Sequence, residues 1–218
     1  MEEQQRLILL AVSRLLGYPQ DDFLKEREEL AVAISKEPEW EGFRDRLLSA
    51  MARFGEFTLR ELQERYVQVF DWKEKTGLYL TAHEWGDSRG RGAALVLLQH
   101  IAADSGYEPA EGELADYLPA LYELLAAAPD NAHLQALKRR LAVATKRVLD
   151  HMPAGHPYED LFDLLVHHVF GLPSPEDISL LEQKREEADL DELPYPILYG
   201  MDGTARQDCS LPNMKMCT

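Results

Sequence analysis

The seven histidines of this chain are its most obvious candidates for metal ligands, but their spacing does not form a ligand set. His83-Glu84 begins like the HExxH motif of zinc enzymes, yet residue 87 is aspartate and not the second histidine. His167 and His168 are adjacent, so on a helix their side chains would point about 100° apart. We interpret the histidines as core or surface residues and expect the protein to bind no metal.

The segment that most resembles a phosphate-binding loop is GDSRGRG, residues 86–92. It lacks the GxxxxGK[ST] order, and no predicted strand precedes it. Two interpretations are left open at this point. The segment is either a plain loop followed by a helix start, or a functional site in which Arg89 and Arg91, at a helix N-terminus, hold an anion or an acidic group of a partner.

Nucleophilic catalysis has no support in the sequence. Cys209 and Cys217 both lie in the last ten residues and lack CxxC spacing, so neither a zinc site nor a structural disulfide is expected. A GxSxG nucleophile motif is absent from the sequence. With 39 acidic residues, carboxylate pairs are expected by coincidence. We predict a protein that is not an enzyme and that needs no cofactor.

Composition narrows the possible partners. The 218 residues carry 23 basic and 39 acidic side chains, a net charge of −16, and 45% of residues are hydrophobic. The charge argues against nucleic acid and against an anionic membrane surface, and it suits a basic partner segment. The chain begins Met1-Glu2-Glu3, without a basic leader, and no apolar run approaches 18 residues. We expect a cytoplasmic protein with no membrane insertion.

Helical periodicity dominates the first 170 residues, because apolar residues recur every three or four positions. Alternation with period two is absent, so β-strands are not expected. We predict an all-α fold, a single-domain bundle of about eight helices over residues 1–175. The apolar residues that define its helix faces include Ile8, Val12, Leu15, Leu59, Leu62, Tyr66, Ala93, Leu97, Ile101, Leu134, Leu137, Leu141, Leu161, Leu164 and Leu165.

Local signals predict where some helices begin. Thr58 and Glu61 form a capping box, in which each side chain satisfies a backbone donor of the first turn. Asp116 is expected to be the N-cap of a helix that tolerates Pro119 in its first turn. Residues 71–88 are less regular than their neighbours, and the final long helix is expected over residues 157–170.

The C-terminal residues differ from the rest of the chain. Residues 176–193 hold eight acids and two bases, a net charge of −6, and residues 194–218 contain three prolines and two glycines with little periodicity. We predict that residues 176–218 form an acidic, irregular tail outside the fold, with at most one short helix over residues 179–188.

Aromatic residues stand beside acids at two places, Tyr66 with Phe70 and Asp71, and Asp116 with Tyr117. These residues are either core aromatics and caps, or parts of a helical groove that receives an apolar, basic peptide helix.

Four segments, in this order and spacing, give the chain a family resemblance: Glu64–Asp71 (ERYVQVFD), Leu78–His83 (LYLTAH), Gly86–Leu95 (GDSRGRGAAL) and Glu113–Pro119 (ELADYLP). The chain resembles the NarJ branch of the TorD-like redox-enzyme maturation chaperones, also called the nitrate reductase delta subunit. The likeness extends over about residues 5–172.

This resemblance implies an all-helical cytoplasmic chaperone without catalysis of its own. Such proteins bind the N-terminal peptide of the apo catalytic alpha subunit of respiratory nitrate reductase and assist molybdenum-cofactor insertion before membrane assembly. Proteins that deliver the molybdenum cofactor are a second class of candidate partner. Alternatives are a helical adaptor without a maturation role and a nucleotide-binding regulator. The candidate partner-binding residues are Tyr66, Phe70, Asp71, His83, Asp87, Arg89, Arg91, Asp116, Tyr117 and Pro119.

Overall fold

The structure is a computed structural model that describes residues 1–36, 43–86, 88–107 and 112–183. These residues form ten α-helices and one π-helical segment, and they contain no β-strand. The all-α prediction is confirmed. The elements are α1 (Glu3–Leu15), α2 (Phe23–Lys36), α3 (Arg44–Phe54), α4 (Leu59–Phe70), α5 (Leu80–Trp85), α6 (Gly90–Asp104), α7 (Leu118–Ala127), α8 (Ala132–His151), α9 (Glu159–Leu164), the π-helical segment (Leu165–Phe170) and α10 (Pro175–Gln183).

The described residues thus hold two more helices than the eight expected. One is α5, which lies in the segment expected to be irregular, and the other is α10, which overlaps the short helix allowed in the tail over residues 179–188 but begins earlier, at Pro175.

The core lies where α1 and α7 pack against each other and against α8 and the π-helical segment. Ile8 and Val12 of α1 and Leu141 of α8 are fully buried. Burying a side chain of this size stabilises the fold by about 1.5 to 3 kcal/mol. The buried hydroxyls of Tyr122 and Thr145 lie 2.7 Å apart and satisfy each other. The predicted faces of α1 and α8 are therefore the faces that pack.

Aromatic rings join α4 to this core. Phe70, near the end of α4, lies 5.2 Å from the ring of Tyr158, just before α9, and 6.1 Å from Phe162 in α9. Tyr158 also meets Phe54 of α3 at 4.9 Å. These ring pairs hold α3, α4 and α9 together.

One of the two predicted helix starts is confirmed and the other is wrong. Thr58 and Glu61 form the expected capping box of α4. Asp116 is not the N-cap of α7, because Tyr117 occupies that position and makes no side-chain cap. Asp116 instead accepts a hydrogen bond from the backbone N–H of Thr81, at 3.2 Å. A partner that is 35 residues away in the sequence therefore replaces the local one.

The final long helix begins as an α-helix and ends as a π-helix. Its first turn and a half is α9, and Leu165–Phe170 then continue as a π-helix. The segment ends at Gly171, whose φ of +76° lies in the left-handed region that favours glycine. His167 is exposed within this segment, and His168 lies 2.8 Å from the guanidinium of Arg46. The apolar periodicity gave no sign of this change in winding.

The predicted start of the tail at residue 176 is wrong for the residues that the structure describes. Pro175–Gln183 form α10, which packs against α8 and α5, and Leu181 is buried. Ser174 begins this helix, because its hydroxyl accepts from the backbone N–H of Asp177 at 3.1 Å. Residues 184–218 lie outside the described residues, so the prediction of an irregular tail stays a prediction there.

Candidate functional site

Two of the family-like segments meet at a short main-chain clasp. Tyr79 and Tyr117 form an isolated antiparallel bridge. The N–H of Leu80 donates to the carbonyl of Asp116 at 2.9 Å, and the N–H of Leu118 donates to the carbonyl of Leu78 at 2.8 Å. The clasp therefore aligns the start of α5 with the start of α7, although neither helix is near the other in the sequence.

A buried polar chain lies next to the clasp and links three of these segments. Arg91 of α6 donates from Nε to Thr81 Oγ1 at 3.0 Å. The Thr81 hydroxyl in turn donates to Asp116 Oδ2, and an Arg91 Nη atom lies 3.7 Å from the same oxygen. Thr81 and Asp116 are fully buried, whereas the Arg91 side chain is 29% exposed. This polar chain fixes the N-terminal end of α6 against α5 and α7.

Tyrosine hydroxyls extend the cluster toward the end of α1. The hydroxyls of Tyr66 and Tyr117 both donate to the carbonyl of Leu16, at 3.2 and 3.4 Å. Burial raises the pKa of both phenols, so both stay protonated as donors. Tyr66 and Phe70 share a helix face as predicted, with their rings 4.9 Å apart. Four of the candidate residues, Tyr66, Arg91, Asp116 and Tyr117, therefore lie in one cluster next to Leu16.

The remaining candidate residues divide into buried and exposed groups. Phe70 and Pro119 are buried. Asp71 and Arg89 are exposed, and Trp72, which follows Asp71, is 97% exposed. Asp87 lies outside the described residues.

His83 is fully buried and points into the body of the protein. Its Nε2 donates to the carbonyl of Gly77 at 2.7 Å, and its Nδ1 has no hydrogen-bond partner. Burial lowers the pKa of His83 to about 4, so the ring is neutral at physiological pH. It therefore orders the loop before α5 and does not face a partner in this conformation.

Of the residues predicted to define the apolar face of α6, Ile101 is buried, whereas Ala93 and Leu97 are exposed. The buried residues are Ala94, Leu98, Ile101 and Ala102. Val96 and Leu97 are 51% and 52% exposed, and Ala93 and His100 are exposed beside them. We call Ala93, Val96, Leu97 and His100 the α6 face, because their spacing of three and four residues places them on one side of the helix.

Sequence reasoning also missed a buried ion pair between α5 and α8. Glu84 is 2% exposed and accepts two hydrogen bonds from Arg140, from Nε at 2.5 Å and from Nη2 at 2.7 Å. The residues are 56 positions apart, so no local spacing identifies them. The pair lies beside α10 and has no role in the clasp.

Within the described residues, no group of histidine, cysteine, aspartate and glutamate side chains is placed to hold a metal ion. In the same part of the chain, no helix is both long enough and apolar enough to span a bilayer.

The fold and the clasped cluster define an all-helical protein whose recognisable segments converge at one place. The chain belongs to the family described as nitrate reductase delta subunit, whose model matches residues 35–154.

Three relatives are similar to this chain over more than half of its length. The probable nitrate reductase molybdenum cofactor assembly chaperone NarJ of Bacillus subtilis is 32% identical over 138 residues, which cover 63% of this chain and 74% of the relative. NarJ of Escherichia coli K12, named as the same kind of chaperone, is 32% identical over 165 residues, or 72% and 67% of the two chains. The probable chaperone NarW of the same organism is 33% identical over 132 residues, or 60% and 54%.

Proposed function

We propose that this protein is a cytoplasmic chaperone that assists molybdenum-cofactor insertion into a respiratory nitrate reductase. It does so by binding the N-terminal peptide of the apo catalytic alpha subunit. The observation that carries this proposal is the match of the family over residues 35–154, together with relatives that are named molybdenum cofactor assembly chaperones. Proteins that deliver the cofactor are further candidate partners.

We place the peptide on the α6 face. An apolar helix face with half-exposed Val96 and Leu97 offers area that a partner helix would remove from water. Arg89 and Arg91 lie at the N-terminal end of α6, where they would contact a carboxylate or main-chain carbonyl of the peptide. Arg91 also belongs to the buried polar chain, so its contact with the peptide would use the exposed part of its side chain, which is 29%.

The buried candidate residues then have a positioning role. Asp116 and His83 are closed off from solvent, and Phe70 is only 6% exposed, so a bound peptide would not reach them in this conformation. They hold α5, α6 and α7 in register, and direct contact falls to Arg89, Arg91 and the α6 face. Asp71 is exposed at the end of α4 and would contact a basic flank of the peptide.

Charge supports a basic or neutral peptide, because the chain carries a net charge of −16. Acidic surfaces speed the encounter with a basic segment more than they tighten the final complex. We therefore expect the association rate to fall as salt rises, since exposed charges are screened beyond about 10 Å at 0.1 M.

Calorimetric titration with a synthetic N-terminal peptide of the alpha subunit tests this proposal. Leu97→Asp should weaken binding about tenfold or more, because it puts a charge into the apolar contact. Val32→Asp is the matched control, since Val32 is 51% exposed on α2, away from the site. Equal affinities for the two variants would remove the α6 face from the proposal. A wild-type chain that does not bind the peptide would contradict peptide recognition itself and favour a helical adaptor.

A further inference from the structure

The outer surface of α8 is basic, although the chain as a whole is strongly acidic. Arg139, Arg140, Lys146 and Arg147 lie along it, and Lys75 adds another cation at one end. The acids of α5 and α8 beside them are Glu84, paired with Arg140, and Asp150, paired with Lys146, so the surface keeps a net positive charge. The helix that covers this surface has the opposite charge, because α10 carries Glu176, Asp177 and Glu182 and neither lysine nor arginine. Helix and surface are thus complementary in charge.

The contact between α10 and α8 depends on one apolar side chain. Leu181 is 6% exposed, whereas its neighbour Leu180 is 58% exposed and Ile178 is 36% exposed. Open depressions of about 220 and 300 Å³ lie on the two sides of Leu181, and Val143 of α8 lines both. The surface of α8 is therefore a groove that α10 fills only in part. We call it the α8 groove and define it by Arg139, Arg140, Val143, Lys146 and Arg147.

The helix α10 has an N-cap side chain of its own, and only a short connecting segment, the tether, precedes it. The side chain of Ser174 bonds to Asp177, and four residues separate the π-helical segment from Pro175. Such a helix can leave the groove without unwinding its neighbours, because its cap is internal to it. The short tether also keeps it at a local concentration in the millimolar range, which favours rebinding.

We propose that the α8 groove is a docking site for an acidic amphipathic helix of a partner protein, and that α10 is its resident occupant. The seated helix defines the chemistry of that partner: a buried leucine, an aspartate near Arg139 and Arg140, and no basic residues. The Glu84–Arg140 pair lies in the lining of the groove and orients the guanidinium, and the Arg140 side chain stays 23% exposed. This surface is separate from the α6 face, so it is an interaction beyond the proposed peptide recognition.

A peptide with the sequence of residues 173–183, which spans α10 and contains no basic residue, is labelled with a fluorophore and tests this proposal by anisotropy against the full chain. Wild-type protein should bind it weakly, because its own α10 fills the groove. Leu181→Asp, which removes the buried anchor, should bind the peptide at least tenfold more tightly than wild type does. The matched control is Leu172→Asp, which adds the same charge at a 68% exposed position just before α10 that lines neither depression, and it should behave like wild type.

Further variants test the chemistry of the groove. Adding Arg139→Glu to the Leu181→Asp chain should weaken peptide binding at least tenfold, whereas adding Arg60→Glu, at an exposed arginine on α4, should have little effect. A peptide carrying the Leu181→Asp change should not bind. If the Leu181→Asp chain loses its helical circular dichroism signal, Leu181→Ala takes its place, with a smaller gain in peptide affinity expected.

Three outcomes would overturn the proposal. The first is equal peptide affinity for the wild-type, Leu172→Asp and Leu181→Asp chains. The second is no binding to a folded Leu181→Asp or Leu181→Ala chain. The third is a concentration-dependent wild-type dimer that Leu181→Asp abolishes. The last outcome would assign the groove to a second copy of the chain. None of these outcomes depends on whether the alpha-subunit peptide binds the α6 face. Either proposal can therefore be contradicted while the other stands.

Discussion

Replacing Asp116 by asparagine should destabilise the folded protein by about 2 to 3 kcal/mol, although the two side chains have nearly the same shape. Asp116 is fully buried, and its Oδ2 accepts from the backbone N–H and the hydroxyl of Thr81. Its Oδ1 is buried without a hydrogen-bond partner. In the variant, the amide oxygen can keep the bonds to Thr81 only if the NH₂ group takes the Oδ1 position.

The magnitude comes from two losses. The hydrogen bonds from Thr81 lose a charged acceptor, and bonds to charged groups contribute about 1.5 to 3 kcal/mol against roughly 1 kcal/mol for neutral ones. The new NH₂ group is a buried donor without an acceptor, which costs about 1 to 3 kcal/mol. Arg91 also loses its counter-charge at 3.7 Å, a smaller effect because Arg91 is partly exposed.

The assay is thermal unfolding followed by circular dichroism, with Asp71→Asn as the matched control. Asp71 is exposed, and its replacement should change stability by less than about 0.5 kcal/mol. For a chain of this size each kcal/mol moves the melting temperature by roughly 2 to 4 °C, so Asp116→Asn should melt about 4 to 12 °C lower. An unchanged melting temperature for Asp116→Asn would refute the buried polar chain as described.

Three further predictions concern other buried groups. Arg140→Met should cost on the order of 3 kcal/mol, because it leaves Glu84 buried without its partner; urea unfolding measures this. Tyr122→Phe should cost about 1 kcal/mol in the same assay, because the buried hydroxyl of Thr145 loses its partner. Wild-type stability should fall as pH drops from 6.5 toward 4, since burial lowers the pKa of His83 to about 4 and the unfolded chain binds the proton first.

Each of these predictions has a control. Arg60→Met removes an exposed arginine from an i,i+4 pair and should cost less than about 0.5 kcal/mol. Tyr18→Phe changes a tyrosine that is 43% exposed and should be nearly neutral. His83→Gln should reduce the slope of stability against pH between 4 and 6.5, although not to zero, because burial also lowers the pKa of His156 to about 4. A slope equal to that of wild type would contradict the assignment to His83.

Sequence periodicity predicted the fold class and the packed faces of α1 and α8, because burial in a helical bundle selects apolar residues at helical spacing. It failed on α6 for a physical reason. That helix is apolar nearly all round, with Val96 and Leu97 beside Leu98, so several faces satisfy the same pattern. Tertiary packing, chiefly against α5, decides that Leu98 is buried and Leu97 is exposed.

Sequence patterns singled out several residues of the cluster around the clasp, but not the contacts that join them. Local rules identified the capping box at Thr58 and the shared face of Tyr66 and Phe70, because both depend on spacings of three or four residues. The same rules predicted Asp116 as an N-cap, whereas its hydrogen-bond donor is Thr81, in another segment. The Glu84–Arg140 pair has no local signature at all. Long-range polar contacts depend on tertiary geometry, which a single sequence does not encode in its spacing.

The Tyr79–Tyr117 clasp has a consequence for how the protein opens. Its two main-chain hydrogen bonds join the start of α5 to the start of α7, and α6 lies in the sequence between these two points. The helix α6 packs chiefly against α5. A helix with so few neighbours can unfold locally while the clasp stays shut. Its amides should then exchange with deuterium well before those of Leu80 and Leu118. A ligand bound to the α6 face would slow deuterium exchange at the amides of α6 and leave exchange at Leu80 and Leu118 unchanged. Binding at this face would therefore be detected as a smaller difference in exchange rate between the two sets of amides.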